Sequence, residues 1–116
     1  MPYIKSNDGR RKALQNADTA QSAGELNYQI FWFIKGSKEI GNVERKWIVQ
    51  WFVSKFLGKS PNYQRYNDLT GALIRCHREI KRRLDEDVQF LLDILDSYDD
   101  EINIYENLKI NENGDV

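Results

Sequence analysis

The sequence is poor in the residues on which many sites and cross-links depend. It has one cysteine, Cys76, one histidine, His77, and two prolines among 116 residues. A single thiol excludes an intramolecular disulfide, a four-cysteine zinc site and a Cys-x-x-Cys redox pair. We therefore expect a protein of a reducing compartment, the cytoplasm, that uses no metal and no other cofactor.

Long hydrophobic runs are also missing. The longest uninterrupted run of aliphatic and aromatic residues is Ile30 to Ile34, far short of the roughly 20 residues that cross a bilayer as a helix. The N-terminal stretch MPYIKSNDGRRKAL has no apolar segment of the signal-peptide type. We therefore expect that the protein neither spans a membrane nor is secreted by the signal-peptide route.

The sequence does contain enough apolar material for one domain. The hydrophobic fraction is 41%, with 5 Phe, 6 Tyr and 3 Trp, which is more than a disordered chain carries. A chain of 116 residues can bury one core but not two independent ones. Apolar residues recur at three- and four-residue steps and nothing alternates at period two, so the fold class is all-α. We expect a small bundle of three to four helices.

The first main helix has clear start and stop signals. Ser22 and Glu25 have the spacing of a capping box, in which the Ser22 hydroxyl accepts from the Glu25 amide while the Glu25 carboxylate reaches back. A helix should begin there. It should end at Gly36, because glycine commonly follows the last helical residue.

The next helix should run over residues 43–57, with Asn42 as its cap and Gly58 as its stop. Its apolar residues cover about two-thirds of the cylinder at about 100° per residue, too much for one buried stripe. A short chain has few neighbours to bury a second face, so we expect two or more copies to complete the core. The expected interface residues are Trp47, Trp51, Phe52 and Phe56.

A third start signal, Ser60-Pro61-Asn62, opens a long segment of helical period that continues to Tyr98. It is either one helix or two helices broken near Asp85. From Asp99 the composition turns to Asp, Glu and Asn, which predicts an irregular acidic tail. The expected organisation is a polar N-terminal arm over 1–21, with room for a short helix at 10–15, a helical domain over 22–98 and the tail over 99–116.

Charge divides the chain into two unequal parts. Residues 1–83 hold 16 Lys and Arg against 7 Asp and Glu, a balance of +9, whereas residues 84–116 hold 1 against 11, a balance of −10. The sign changes between Arg83 and Asp85. Bases favour the end of one helix and acids the start of the next. A break there would let the acidic part fold back beside the basic part, within one chain or between copies.

A basic stripe lies on one face of the third helical segment, with arginines at i, i+3 and i+7. Such a stripe can bind phosphates or acidic side chains, and two tyrosines nearer the N-terminal end could stack on a base. The pI of 5.8 and the acidic tail argue against a polynucleotide. A small anionic ligand such as a nucleotide, an acidic protein and a second copy stay open as partners. The candidate ligand-binding residues are Arg75, Arg78, Arg82, Lys81, Tyr63 and Tyr66.

Two further constellations carry weaker signals. Carboxylates can hold Mg²⁺ for phosphate chemistry, but of the paired acidic motifs used by all-helical nucleotide pyrophosphohydrolases the chain has only Asp93-x-x-Asp96. Cys76 and His77 are adjacent, and sequence neighbours on a helix do not face each other. We therefore expect a core cysteine, a solvent-facing histidine and no catalytic residue.

Parts of the chain resemble a small family of unknown function from phages and from bacterial and archaeal genomes. The matching pieces are MPYI at 1–4, GELNYQI at 24–30, YND at 66–68, GAL at 71–73 leading to Arg82-Arg83, and ENGDV at 112–116. Residues 36–60 and 84–104 look like enlargements of that pattern. The resemblance implies a phage or mobile-element setting without an activity or cofactor. A family-wide site would draw on Asn27, Tyr28, Asn67, Asp68 and residues 113–115.

The leading hypothesis is a non-enzymatic helical interaction protein that forms homo-oligomers. The split charge, the wide apolar surface of the second helix and the missing catalytic constellation favour it. One alternative is a protein that binds or sequesters a small anion such as a nucleotide. Another is a Mg²⁺-dependent nucleotide pyrophosphohydrolase of the all-α type.

Overall fold

The computed structural model describes residues 8–113, and within that range the chain forms six α-helices and no strand. The all-α class is confirmed, whereas the expected count of three to four helices is wrong. None of the helices described there is both long enough and apolar enough to cross a membrane. The helices are α1 (Asp8–Gln15), α2 (Ala23–Lys35), α3 (Asn42–Leu57), α4 (Tyr63–Leu84), α5 (Phe90–Asp96) and α6 (Asp99–Asn113).

The core is built around α2 and α4, which pack against each other more extensively than any other pair. Helix α4 contributes the row that its helical period predicted, with Leu69, Leu73, Cys76 and Ile80 all buried. Helices α3 and α5 close the core on its other sides. The three- and four-residue spacing therefore identifies the buried face of α4 correctly.

The capping box at the start of α2 forms in part. Ser22 Oγ accepts a hydrogen bond from the Glu25 amide at 3.2 Å, as predicted, and Gly36 follows the last residue of the helix. The Glu25 carboxylate reaches one residue further back than expected, because it accepts from the Gln21 amide at 2.9 Å. The carboxylate also accepts a hydrogen bond from Arg10 Nε, so it links α1 to α2 and caps α2.

The start of α3 differs from the expectation. Gly41, not Asn42, is the N-cap, and no side chain caps the helix there. Asn42 is already helical and its Oδ1 accepts from Arg45 Nη1 at 3.1 Å, so its side chain is not available to the backbone. The end of α3 is as predicted, because Gly58 takes a positive φ of 73° that suits glycine.

The long C-terminal segment is broken at Asp85, as the charge pattern indicated. Helix α4 ends at Leu84, and Asp85 adopts the left-handed conformation with φ 51° and ψ 43°. As predicted, basic residues occupy the last turn of α4. The acids do not open α5, because Asp85, Glu86 and Asp87 lie in the connection and α5 begins at Phe90. The segment is thus two helices joined by an acidic loop.

Both ends of the described chain are more ordered than composition indicated. Leu14 and Ala20 are buried in the core, so α1 and the residues after it pack on the helical domain. The irregular tail is a wrong prediction over 99–113, where the chain forms α6. Tyr98 and Ile102 pack against the core and give this acidic helix an apolar anchor that composition does not reveal.

Candidate interaction surface

Helix α3 carries an apolar stripe that the chain itself leaves uncovered. Val43, Trp47 and Trp51 stand four residues apart and therefore share one helix face. They are 59%, 64% and 51% exposed, whereas the opposite face of α3 supplies the core. Large aromatic side chains dominate the energetics of interfaces. Two tryptophans and a valine left in water on one helix face therefore mark a surface that another molecule can bury.

The structure divides the interface set predicted from the sequence. Trp47 and Trp51 are exposed, but Phe52 and Phe56 are buried in the core of the chain itself. The Phe52 ring meets Phe33 of α2 edge to face, with the centroids 5.8 Å apart. Apolar residues do cover most of the circumference of α3, as predicted. One part of this apolar surface packs on α2, and only the stripe faces outward.

A groove of about 360 Å³ lies where α1, α2 and α3 meet, and Phe52 in its wall contacts Trp51 of the stripe. Its walls include Leu14, Trp32, Phe33 and Phe52. The Trp51 ring lies 5.6 Å from the Phe52 ring, so the apolar surface continues from the stripe into the groove. Trp32, in the α2 wall of the groove, is itself 45% exposed, so the exposed aromatic surface includes that wall.

Gln29 is a polar residue in the groove wall. Its side chain is almost fully buried, with 2% exposure, and its Nε2 donates to Leu14 O at 2.9 Å and to Asp18 O at 2.8 Å. These two bonds use both amide hydrogens and so fix which way the amide points. Oε1 is left as the acceptor of the group.

The α1 wall of the groove is held by an ionic cluster. Arg10 Nε donates to Glu25 Oε2 at 2.7 Å, and Arg10 Nη1 pairs with Asp18 Oδ2 at 2.7 Å. Hydrogen bonding to Arg10 lowers the pKa of both carboxyl groups below their ordinary values. Because Arg10 lies in the first turn of α1 and Asp18 follows that helix, while Glu25 belongs to α2, the cluster fixes one helix against the other.

The other wall depends on Arg45, which is buried at 2% exposure. Its Nη2 donates to Ile34 O at 2.9 Å, its Nε to Ser37 Oγ at 3.3 Å, and its Nη1 to the carboxylate of Glu86. The first turn of α3 is thereby tied to the end of α2 and to the α4–α5 connection. Sequence reasoning missed this residue. The available signal was its position four residues before Val49, in a row of α3 that is otherwise apolar and buried.

The basic stripe of α4 is exposed. Arg75, Arg78 and Lys81 make no hydrogen bond or ion pair with any residue in the range 8–113. Arg82 Nη2 lies 3.3 Å from Glu79 Oε1, and 70% of its side chain is exposed. Weak, solvated pairs of this kind leave a cation available. The four predicted bases therefore form a cationic surface.

The two tyrosines of the predicted ligand set have different environments. Tyr63 is exposed. Tyr66 is buried, and its ring centroid lies 6.2 Å from that of Tyr98 at the start of α6. Only Tyr63 presents a ring to solvent. It stands at the first residue of α4, three turns and more before the bases.

The acidic helix does not neutralise the basic stripe within the described chain. Asp99, Asp100 and Glu101 form no ion pair with any described base. Helix α5 folds back on α4, as expected, but α6 then begins beside Tyr66, whereas the bases occupy the C-terminal half of α4. The two charged surfaces therefore remain separate.

The residues considered above for catalysis or metal binding lie in different environments. Cys76 is buried with its Sγ donating to Asn27 O at 3.8 Å, and burial raises the pKa of the thiol, so the core cysteine is confirmed. His77 is partly buried with Nε2 3.3 Å from Asp87 Oδ1, which corrects the expected solvent-facing histidine. Asp93 and Asp96 are exposed. Among the described residues, no group of three or more His, Cys, Asp and Glu could hold a metal ion.

The residues indicated by the family resemblance fall in different settings. Asn27 is buried against α4, the Tyr28 hydroxyl accepts from Gln15 Nε2 at 2.8 Å, and Asp68 Oδ1 accepts from Gln64 Nε2 at 2.8 Å. Asn67 is exposed. The opening MPYI and the final GDV lie outside the described residues.

Comparison of the sequence with protein-family models finds no match, and comparisons with curated proteins and with solved structures find none either. The resemblance to the phage and prokaryotic family therefore stays a prediction. The inferences below depend on the geometry of the chain itself.

Proposed function

We propose that this protein is a non-enzymatic helical interaction protein that self-associates, with two copies meeting through the exposed face of α3. The exposure of Val43, Trp47 and Trp51 on one helix face supports this proposal most directly. Burial of one large apolar side chain contributes about 1.5–3 kcal/mol. Val43, Trp47 and Trp51 are already partly covered, so three such residues from each copy supply part of the free energy that offsets the cost of association, and we expect a dimer in about the micromolar range.

Charge on the flank of the stripe favours an antiparallel pairing of α3 with its copy. Glu44 and Lys55 lie about 60° and 80° from Trp47 on the same side of the helix, near opposite ends of the stripe. A twofold axis between Trp47 and Trp51 brings Glu44 of one copy beside Lys55 of the other, twice per dimer. Closed twofold pairing is the commonest arrangement of homo-oligomers, and here it joins opposite charges.

Light scattering coupled to size-exclusion chromatography tests the proposal. Over about 1–200 µM, the range in which a micromolar dimer forms, the chain should reach twice its 13.7 kDa mass. The double variant Trp47→Glu/Trp51→Glu should elute at the mass of one chain. The matched control is Ile74→Glu/Ile104→Glu, which places the same charge on two exposed apolar residues of other helices and should still dimerise.

Salt adds a second criterion to this experiment. An apolar contact persists in about 1 M salt, where the Debye length is only about 3 Å and exposed charges are screened. A chain that stays at 13.7 kDa throughout, or a control variant that dissociates as completely as the tryptophan variant, would contradict the assignment of the α3 face.

The basic stripe favours a second candidate function, the binding of a small anion such as a nucleotide. Arg75, Arg78 and Lys81 are exposed cations without a described acidic partner, and guanidinium groups bind phosphate by paired hydrogen bonds. Thermal-shift measurements against a panel of nucleotides should show a ligand that raises the melting temperature. The shift should vanish in Arg78→Ala and persist in Lys12→Ala, which removes an exposed cation from α1. A flat panel would eliminate this candidate.

A further inference from the structure

The groove beside the stripe has the chemistry of a receptor for one aromatic group. Its walls are the apolar surfaces of Leu14, Trp32, Phe33 and Phe52, and its volume of about 360 Å³ is at the lower end for a binding pocket. Gln29 Oε1 is an acceptor whose amide is already fixed by two donated hydrogen bonds. A flat, uncharged ring with one N–H donor matches both the walls and the acceptor.

Trp47 offers such a ring to a second copy. Among the described residues it is the most exposed large hydrophobic side chain, at 64%, and no ring contact or cation–π contact involves it there. Trp51 is braced, because the Lys55 ammonium lies 4.4 Å from its ring centroid and Phe52 packs beside it. Of the two indoles on the stripe, Trp47 is therefore the one that is not held by a described ring or cation–π contact.

We infer that the groove receives the indole of Trp47 from a second copy, with the indole N–H donating to Gln29 Oε1. The inference rests on the self-association proposed above and names its central contact. In the antiparallel arrangement, Trp47 of one copy lies at the level of Trp51 and Phe52 of the other. Phe52 lines the groove, and it adjoins Trp51 on the flank that carries Lys55. The exchange is reciprocal, so each copy gives one indole and receives one.

Filling the groove from inside tests this contact without altering the stripe. Gly36 is part of the groove wall and has a φ of −94°, which other residues adopt readily. A Cβ there would meet only Trp32 O at 3.7 Å and Phe33 O at 3.9 Å, which are ordinary contacts. We expect Gly36→Leu to fold as the parent does and to weaken dimerisation about 1,000-fold or more, because each dimer loses two buried aromatic anchors, each of which costs about 2 kcal/mol or more.

Gly71→Leu is the matched control. Gly71 is an exposed residue of α4, and a Cβ there meets nothing within 4 Å. The control should therefore dimerise as the parent does. A melting curve of each variant verifies that the chain is folded.

Two conservative substitutions test the same contact without using the glycine variants. Trp47→Phe keeps an aromatic ring but removes the N–H, and it should weaken the dimer roughly 5–150-fold, the equivalent of two net hydrogen bonds, one from each copy. Trp51→Phe keeps its place in the stripe and should change the dissociation constant by less than about 2-fold. Sedimentation equilibrium measures both constants.

The outcomes separate this inference from the proposed function. If the parent chain is a single copy at every concentration, the self-association itself is wrong. If the parent dimerises and Trp47→Glu/Trp51→Glu does not, while Gly36→Leu dimerises as tightly as Gly71→Leu, only the groove contact is wrong. Equal effects of Trp47→Phe and Trp51→Phe would also overturn it. Selective loss in Gly36→Leu and in Trp47→Phe would support it.

Discussion

Arg45 Nη1 contacts Glu86 Oε1 across the α3 start and the α4–α5 connection, 41 residues apart in sequence, and the arginine is almost completely buried. The other carboxylate oxygen, Oε2, is buried without a hydrogen-bond partner among the described residues. The Glu86 side chain is 26% exposed, so the contact lies at the edge of the core, with its arginine side buried and bonded also to Ile34 O and Ser37 Oγ. Removing Arg45 breaks this ion pair and also the bonds to Ile34 O and Ser37 Oγ, whose acceptors are buried.

Arg45→Leu should accordingly lower the free energy of unfolding by about 3–5 kcal/mol, the range for breaking a buried ion pair. Urea denaturation followed by circular dichroism measures the change. Arg82→Leu is the comparison, because Arg82 contacts Glu79 at the surface, where an ion pair contributes little. Equal losses in the two variants would show that burial of Arg45 does not determine its importance.

The Arg10–Glu25 contact predicts a dependence of stability on pH. The pKa of Glu25 is lowered in the folded chain, so the folded state releases this proton more readily than the unfolded state. The contribution is complete above the ordinary glutamate pKa of about 4.5 and is lost as the pH falls below it through the lowered value. Between pH 7 and pH 3, Glu25→Gln should therefore lose less stability than the parent.

Urea midpoints at both pH values test this expectation. Glu25→Gln begins from a lower midpoint at pH 7 because the ionic contact is absent, so the comparison is between the two differences. If the parent and the variant have the same pH difference, the carboxylate of Glu25 has no part in the pH dependence.

The thiol of Cys76 should report the opening of the α2–α4 contact. It is buried, and its pKa is raised, so its thiolate should attack a disulfide reagent only slowly at pH 8. An opening free energy of about 4 kcal/mol or more reduces the rate about 1,000-fold or more. Arg75→Cys in a Cys76→Ala background presents a thiol one position away on the exposed surface. If both thiols react at similar rates without denaturant, the packing of α2 on α4 is wrong.

The turn after α1 is a Schellman motif with alanine in the position that usually holds glycine. The Asp18 amide donates to Ala13 O at 3.0 Å and the Ala17 amide to Leu14 O at 3.1 Å, while Ala17 has a φ of 70°. A left-handed residue with a Cβ costs roughly 1–2 kcal/mol. Ala17→Gly should therefore raise the free energy of unfolding by about 0.5–1 kcal/mol. Ala13→Gly, within α1, should lower it by about 1 kcal/mol. Chemical denaturation that finds the same sign for both would contradict this assignment.

The signals that sequence reasoning used were local, and they succeeded where local chemistry decides. The Ser22 cap, the Gly36 and Gly58 ends and the buried row of α4 all follow from a few neighbouring residues. One helix or two remained open for the segment after Asn62, and the change of charge favoured the break that lies at Asp85. The errors have non-local causes. Helix α6 forms where Tyr98 and Ile102 find the core, which the acidic composition after Asp99 does not reveal.

The interaction surface shows the same division. The wide apolar surface of α3 predicted that part of it would remain uncovered, and Trp47 and Trp51 are exposed. Which part stays uncovered depends on where α2 packs, so Phe52 could not be assigned from periodicity alone. Arg45 was missed for a related reason. A charged residue in an apolar row is informative only when its partner is known, and Glu86 lies 41 residues away.

The exposure of the tryptophans also determines what their fluorescence reports about this protein. The chain has 3 Trp, and Trp32, Trp47 and Trp51 are all roughly half exposed or more. Indole emission from a single folded copy should therefore resemble that of the unfolded chain and should change little when the core melts. Burial against another copy would shift the emission to the blue. Intrinsic fluorescence is thus nearly silent for folding in this protein and sensitive to contact.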